Sequence, residues 1–89
     1  MQKYYTAVGR FERKGHMGDM TCPMVIINKR EYALDIQEMI LWATLNWQIM
    51  DARALEDTYI AKLKASGIAP RRSFHDCMRR LLQRGLVVE

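Results

Sequence analysis

The segment from Ser73 to Gly85 constrains the fold most, because it specifies a helix with one apolar face and one basic face. Ser73 is a typical N-cap residue, and Gly85 is a typical helix terminator. Between them, apolar residues recur at the spacing of a buried helix face: Phe74, Cys77, Met78, Leu81 and Leu82. We therefore predict a helix over residues 74–84 that packs one face against a core.

A first helix is predicted over residues 36–47. Asp35 is a suitable N-cap residue, and Glu38 three positions later completes the pattern of a capping box. Helical spacing predicts its buried face, and Leu41, Trp42 and Leu45 extend the apolar surface. We expect both Trp42 and Trp47 in the core. The residues of the predicted face are Ile36, Met39, Ile40, Ala43 and Trp47.

A second helix is predicted over residues 52–66. Asp51 precedes it as an N-cap residue, and Gly67 follows it as a helix stop, since glycine adopts the left-handed conformation without steric cost. Four residues form the expected buried stripe: Leu55, Tyr59, Ile60 and Leu63. A short connection containing Gly67 and Pro70 leads to the third helix.

Strands are predicted on either side of the helices. Residues 24–27 and 31–34 favour a β-hairpin around a polar turn at residues 28–30, and residues 86–88 begin a strand. Residues 1–21 are expected to be a partly ordered leader with one short strand. The predicted fold is α+β: a three-helix core with an N-terminal hairpin and a C-terminal strand, in one domain over residues 22–89.

Positive charge is concentrated in the third helix. The net charge of the chain is +4, and residues 70–85 carry five arginines against Asp76, an excess as large as that of the whole chain. At 100° per residue, the side of the helix opposite its apolar face is basic. It carries Arg72, Asp76, Arg79, Arg80 and Gln83, flanked by His75 and Arg84.

Other functional classes lack a motif. No phosphate-binding loop or catalytic triad is recognisable, so we expect neither an enzyme nor a cofactor. Cys22 and Cys77 are far apart, without the paired spacing of a zinc site, although a bridge between them is an open alternative. We expect no metal site and a free Cys77 in the core. No signal peptide or membrane span is visible, and a reducing cytoplasmic setting is the expectation.

The run Ser73–Val87 resembles the recognition helix and first wing strand of winged helix-turn-helix DNA-binding domains, as found in bacterial transcriptional regulators. The likeness extends over residues 35–88. It implies binding of double-stranded DNA, with the third helix in the major groove and the second braced against the DNA backbone, in a transcriptional regulator or a mobile-element protein. The implied DNA contacts are Arg71, Arg72, Ser73, His75, Arg79, Arg80 and Arg84.

Two features depart from this resemblance. A wing needs a second strand after the predicted one at residues 86–88, and the sequence stops at Glu89. Either the chain is a fragment lacking the full wing, which we favour, or its last strand pairs with an upstream segment. Asp76 also lies within the basic face, where it repels phosphate unless it pairs with Arg79 or Arg80. The alternative function is a protein-interaction module without DNA binding, with a homodimer or another protein as partner.

Overall fold

The computed structural model describes residues 3–17 and 20–89. These form a mixed α+β fold with three helices and two three-stranded antiparallel sheets. One sheet has the strand order β5-β1-β6 and the other β2-β3-β4. The elements are β1 (Tyr4–Ala7), β2 (Arg10–Met17), β3 (Met20–Ile27), β4 (Arg30–Ala33), α1 (Ile36–Leu45), β5 (Met50–Asp51), α2 (Ala52–Ser66), α3 (Phe74–Gln83) and β6 (Val87–Val88).

All three predicted helix starts are confirmed. The side chains of Asp35, Asp51 and Ser73 each accept a hydrogen bond from the backbone N–H three residues later. The capping box of α1 is complete, since the Glu38 side chain accepts from the backbone N–H of Asp35. The helix α2 has the predicted bounds, whereas α1 and α3 end two residues and one residue earlier than expected, at Leu45 and Gln83.

The buried face of α1 differs from the predicted one. Its buried residues are Gln37, Glu38, Leu41, Trp42, Thr44 and Leu45. Ile36 and Ala43 are exposed, and Met39 and Ile40 are only half-buried. Three large side chains at positions i, i+1 and i+4, those of Leu41, Trp42 and Leu45, pack most closely in the core. The side of α1 that carries them therefore faces the core.

The two tryptophans have opposite environments. Trp42 is in the core, as predicted, and its Nε1–H donates to the backbone carbonyls of Val8 and Leu86 at 3.1 and 3.0 Å. Trp47 is 95% exposed, which corrects its predicted place in the core. It follows the end of α1 in a left-handed conformation, with φ 64°, because the chain turns there to bring β5 beside β1.

The predicted hairpin is confirmed as β3 and β4. Ile27 pairs with Arg30, so the turn consists of Asn28 and Lys29, whose φ angles are 50° and 70°. Positive φ at both turn residues is typical of the two-residue turn that matches the twist of a hairpin.

The structure describes strands within residues 1–21, which the sequence predicts as a partly ordered leader with one short strand. Residues 4–7 are the central strand of one sheet, residues 10–17 are a strand of the other, and β3 crosses the expected boundary at residue 22. The strands that pair with β1 lie more than 40 residues away along the chain, so local sequence patterns do not show this pairing, whereas β2 pairs with the adjacent β3. Residues 1, 2, 18 and 19 of the predicted leader lie outside the described residues.

The last strand pairs with an upstream segment. Val88 and Val87 of β6 lie opposite Thr6 and Ala7 of β1. This is the second of the two alternatives that the sequence leaves open for the last strand. Together with the hydrogen bonds of the Trp42 indole to Val8 and Leu86, this pairing ties both ends of the described chain to α1.

One hydrophobic core joins the three helices to both sheets. It contains Val25 of β3, Leu55 of α2, Leu81 of α3 and Val87 of β6, all essentially inaccessible to solvent. Cys77 lies in this core, and both it and Cys22 are free thiols. Burial raises the pKa of the Cys77 thiol to about 11. Within the described residues, no helix has the length and apolar character needed to cross a membrane.

Candidate nucleic-acid interface

The predicted DNA-binding residues lie on α3 and on the turn that connects it to α2. That turn starts at Gly67, whose φ is 68° and whose N–H donates to the carbonyls of Leu63 and Lys64. Phe74, Cys77, Met78 and Leu81 bury one side of α3, so its other side faces solvent. The helix α3 is therefore an outer element with one solvent-exposed face.

Gln37 of α1 fixes the end of this turn. Its Oε1 accepts hydrogen bonds from the backbone N–H groups of Arg71 and Arg72, at 2.7 and 3.2 Å. Its Nε2 donates to the carbonyl of Arg72 and to the Tyr59 hydroxyl, at 3.2 and 2.8 Å. Gln37 is buried, and these four bonds satisfy it, so the backbone at Arg71 and Arg72 is held in one position.

The Arg72 side chain turns back to the start of α1, where it forms an ion pair with Asp35. Desolvation of the Asp35 carboxylate raises its pKa, but the hydrogen bonds from the Glu38 backbone and from Arg72 outweigh this effect. The pKa of Asp35 therefore lies below its ordinary value. The hydrogen bond to Asp35 in turn raises the pKa of Arg72. This arginine is engaged within the protein.

Glu38 engages two more of the predicted arginines. Its carboxylate is 2% exposed, and Oε2 accepts from Nε of Arg80 at 3.2 Å and from the guanidinium of Arg84. Arg84 also donates to the carbonyl of Ala33 at 3.0 Å. The structure thus turns Arg80 and Arg84 toward α1, and the Arg84 side chain is only partly accessible from outside.

The remaining predicted residues stay at the surface. Arg79 is exposed and forms an ion pair with Asp76, the pairing that the sequence allowed for. His75 is exposed, and its ring meets the edge of Phe74 at 5.6 Å between centroids. Ser73 is exposed but uses its hydroxyl to cap α3. Arg71 is exposed as well, and within the described residues its side chain forms no ion pair.

The basic surface is therefore weaker than the sequence indicates. Asp35, Glu38 and Asp76 each contact arginines of this region, so five guanidinium groups face three carboxylates. A local excess of two positive charges remains. One of these charges is on Arg71, which forms no ion pair among the described residues, and the other is shared by Arg80 and Arg84, which both bind the single carboxylate of Glu38.

Gln37 is not among the residues predicted from the sequence, and Glu38 is predicted only as part of the capping box of α1. A signal for both exists. Gln37 and Glu38 precede Leu41 and Trp42 by four residues, so they lie on the same side of α1. They are therefore part of the buried face of this helix. Two polar residues on a buried face need partners: the turn before α3 supplies those of Gln37, and Arg80 and Arg84 supply those of Glu38.

No three His, Cys, Asp or Glu side chains lie close enough to hold a metal ion, among the residues that the structure describes. No family model, curated protein or solved structure is detectably similar to this chain. The candidate site is thus defined by its own geometry: an outward face of α3, held by α1, with a small excess of positive charge.

Proposed function

We propose that the chain is a winged-helix-type domain that binds double-stranded DNA through the outer face of α3, as part of a transcriptional regulator or a mobile-element protein. The placement of Arg71 and Arg79 carries the proposal. Gln37 fixes the backbone at Arg71, and Arg79 extends from the outer side of α3. An α-helix fits the major groove, where arginine contacts phosphates or the guanine edge.

The strand arrangement supports the winged-helix comparison. The order α1, β5, α2, α3, β6 follows the resemblance, which requires a second strand beside the one after α3. The strand β1 occupies that place from the N-terminal side. The hairpin of β2 and β3 follows β1 directly, contains the two longest described strands, and is the candidate wing under this proposal.

The arginines divide into two groups under this proposal. Arg72, Arg80 and Arg84 set the orientation of α3 through Asp35 and Glu38. The groups left to contact DNA are Arg71, Ser73, His75 and Arg79, near the start of α3. N-terminal residues of a recognition helix are the ones that reach base edges in helix-turn-helix complexes.

The test is fluorescence anisotropy of a labelled mixed-sequence duplex over a salt series. The double variant R71A/R79A leaves the Asp35 and Glu38 ion pairs intact, and R30A on β4 is the matched control for loss of positive charge. We expect weaker binding for R71A/R79A, with a slope of log K against log salt that is flatter by about 0.9 per lost phosphate contact. Equal affinity and slope in wild type and R71A/R79A would refute the proposal.

A second candidate function is protein interaction, through self-association. One observation favours it: large apolar side chains are exposed on and beside the outer face of sheet β5-β1-β6. They are Tyr4, Trp47, Ile49 and Val88. Lys3 and Glu89 form an ion pair at 3.2 Å beside these side chains. A second copy related by a two-fold axis therefore brings one positive and one negative charge to a surface that carries the same two charges.

Sedimentation velocity distinguishes this second candidate. If the chain self-associates through this surface, it sediments as a dimer, and the variant W47S/I49S as a monomer. The matched control is I60S, because Ile60 is an exposed apolar residue of α2 outside the surface. A wild-type chain that sediments as a monomer at high concentration excludes the dimer.

A further inference from the structure

One side of α1 is apolar but is not covered by any described element. Met39 and Ile40 are half-buried and Ala43 is exposed, although their spacing is that of a buried helix face. These three residues line a groove between α1, β2 and the last turns of α2. Its other lining residues are Phe11, Arg13, Trp42, Asn46, Lys62, Ala65 and Ser66.

The groove has the size and rigidity of a ligand site. Its volume is about 440 Å³, and small-molecule sites span about 300–1,000 Å³. The rings of Phe11 and Trp42 stack in it, with centroids 6.1 Å apart. Trp42 is fixed by its two hydrogen bonds to backbone carbonyls, so this wall is already formed before any ligand binds.

The charged groups of the groove are both positive. Arg13 comes from β2 and Lys62 from α2, and among the residues that the structure describes no aspartate or glutamate lines the groove. Arg13 lies 5.7 Å from the centre of the Phe11 ring and donates to the Met39 sulfur at 3.8 Å. Within the described residues neither cation forms an ion pair. A thioether is a weak acceptor, so a carboxylate is a stronger partner for Arg13.

We propose that this groove binds an amphiphilic carboxylate of the fatty-acid type. The apolar chain lies along Met39, Ile40 and Phe11, and the carboxylate is held by Arg13 and Lys62. The chemistry of the walls favours this ligand class, because apolar surface predominates and the charged groups are cationic. Among the described lining residues, Asn46 and Ser66 are the only ones with uncharged polar side chains, too few to recognise a sugar or a nucleotide.

Isothermal titration calorimetry with laurate, kept below its micelle-forming concentration, tests this site. We expect one laurate per chain, and about tenfold weaker binding in each of R13Q and K62Q. The matched control is K64Q, since Lys64 is an exposed lysine of the same helix that does not line the groove. Dodecanol, which has the same chain without the charge, is expected to bind more weakly than laurate.

A blocking variant separates the site from unspecific adsorption. Ala43 is exposed, so A43L adds volume to the groove without disturbing the core, and circular dichroism verifies that the fold is retained. Loss of laurate binding in A43L supports the proposal. Absence of binding to the wild type, or unchanged binding in both A43L and R13Q, overturns it. Binding of an acidic amphipathic peptide in place of laurate overturns it as well.

Discussion

The carboxylate of Glu38 in α1 accepts a hydrogen bond from Nε of Arg80 in α3 at 3.2 Å. The same oxygen binds Arg84, the C-cap residue of α3, four residues further along the chain. Two arginines of a face that the sequence marks as basic are thereby directed at a buried acid. The contact makes the orientation of α3 depend on a residue of α1, and it reduces the positive charge available to a partner.

Replacing Glu38 by glutamine is expected to lower the free energy of unfolding by about 3 kcal/mol, because two guanidinium groups lose their buried counter-charge. Glutamine retains an oxygen for the backbone N–H of Asp35, so the cap itself is preserved. Urea unfolding measures the change. The control D57N, at an exposed position of α2, is expected to shift stability by less than about 0.5 kcal/mol. An equal shift in both variants would contradict a structural role for the Glu38 ion pairs.

Asp35 makes stability depend on pH at the acid end. Its folded-state pKa is lowered from 3.8, so the unfolded chain takes up this proton first as the pH falls. Its contribution is therefore fully present above the unfolded-state pKa and is lost as the pH falls through the folded-state pKa. The variant D35N keeps an N-cap residue but loses the charge. The stability gap between wild type and D35N, from urea unfolding, should be constant near neutral pH and shrink below about pH 4. A gap independent of pH down to pH 2 would contradict this assignment.

Gly9 lets the link between β1 and β2 pass close to β3. Its φ is 102°, and a Cβ at this position would lie 2.5 Å from Cγ1 of Val25, a core residue. We expect G9A to destabilise the fold by about 3 kcal/mol, from backbone strain and overpacking together. Gly67 also has positive φ but open space around it, so G67A should cost only about 1 kcal/mol. Thermal or urea unfolding of both variants measures the difference, and equal losses would show that the clash with Val25 is relieved.

The helices of this chain can be predicted from its sequence because the residues that begin, end and bury each helix lie within or next to it. Asp51 and Gly67 bracket α2, and Ser73 with the stripe that follows it defines α3. The strand β1 is not readable in this way. It is short, and its stability comes from β5 and β6, which lie more than 40 residues away along the chain.

The candidate site can be predicted from the sequence only in part, because some of its contacts join residues that are distant along the chain. The sequence shows that Arg80 and Arg84 lie outside the apolar stripe of α3, but it does not show that Glu38 reaches them from another helix. The two faces of α1 illustrate the same limit. Both of its sides are apolar, and tertiary packing decided that Leu41 and Trp42 lie inside while Ala43 lines a groove.

Asp76 provides the most direct test of DNA contact by α3, because its removal is expected to increase affinity. Its carboxylate lies on the outer face of α3 and holds Arg79, so D76N frees that arginine and removes a repulsion toward phosphate. If α3 enters the major groove, D76N binds duplex DNA about fivefold more tightly at moderate salt, equivalent to about 1 kcal/mol. The control D57N removes the same charge from α2 and should change affinity far less. Unchanged affinity in D76N, or equal gains in both variants, would contradict DNA binding through this face.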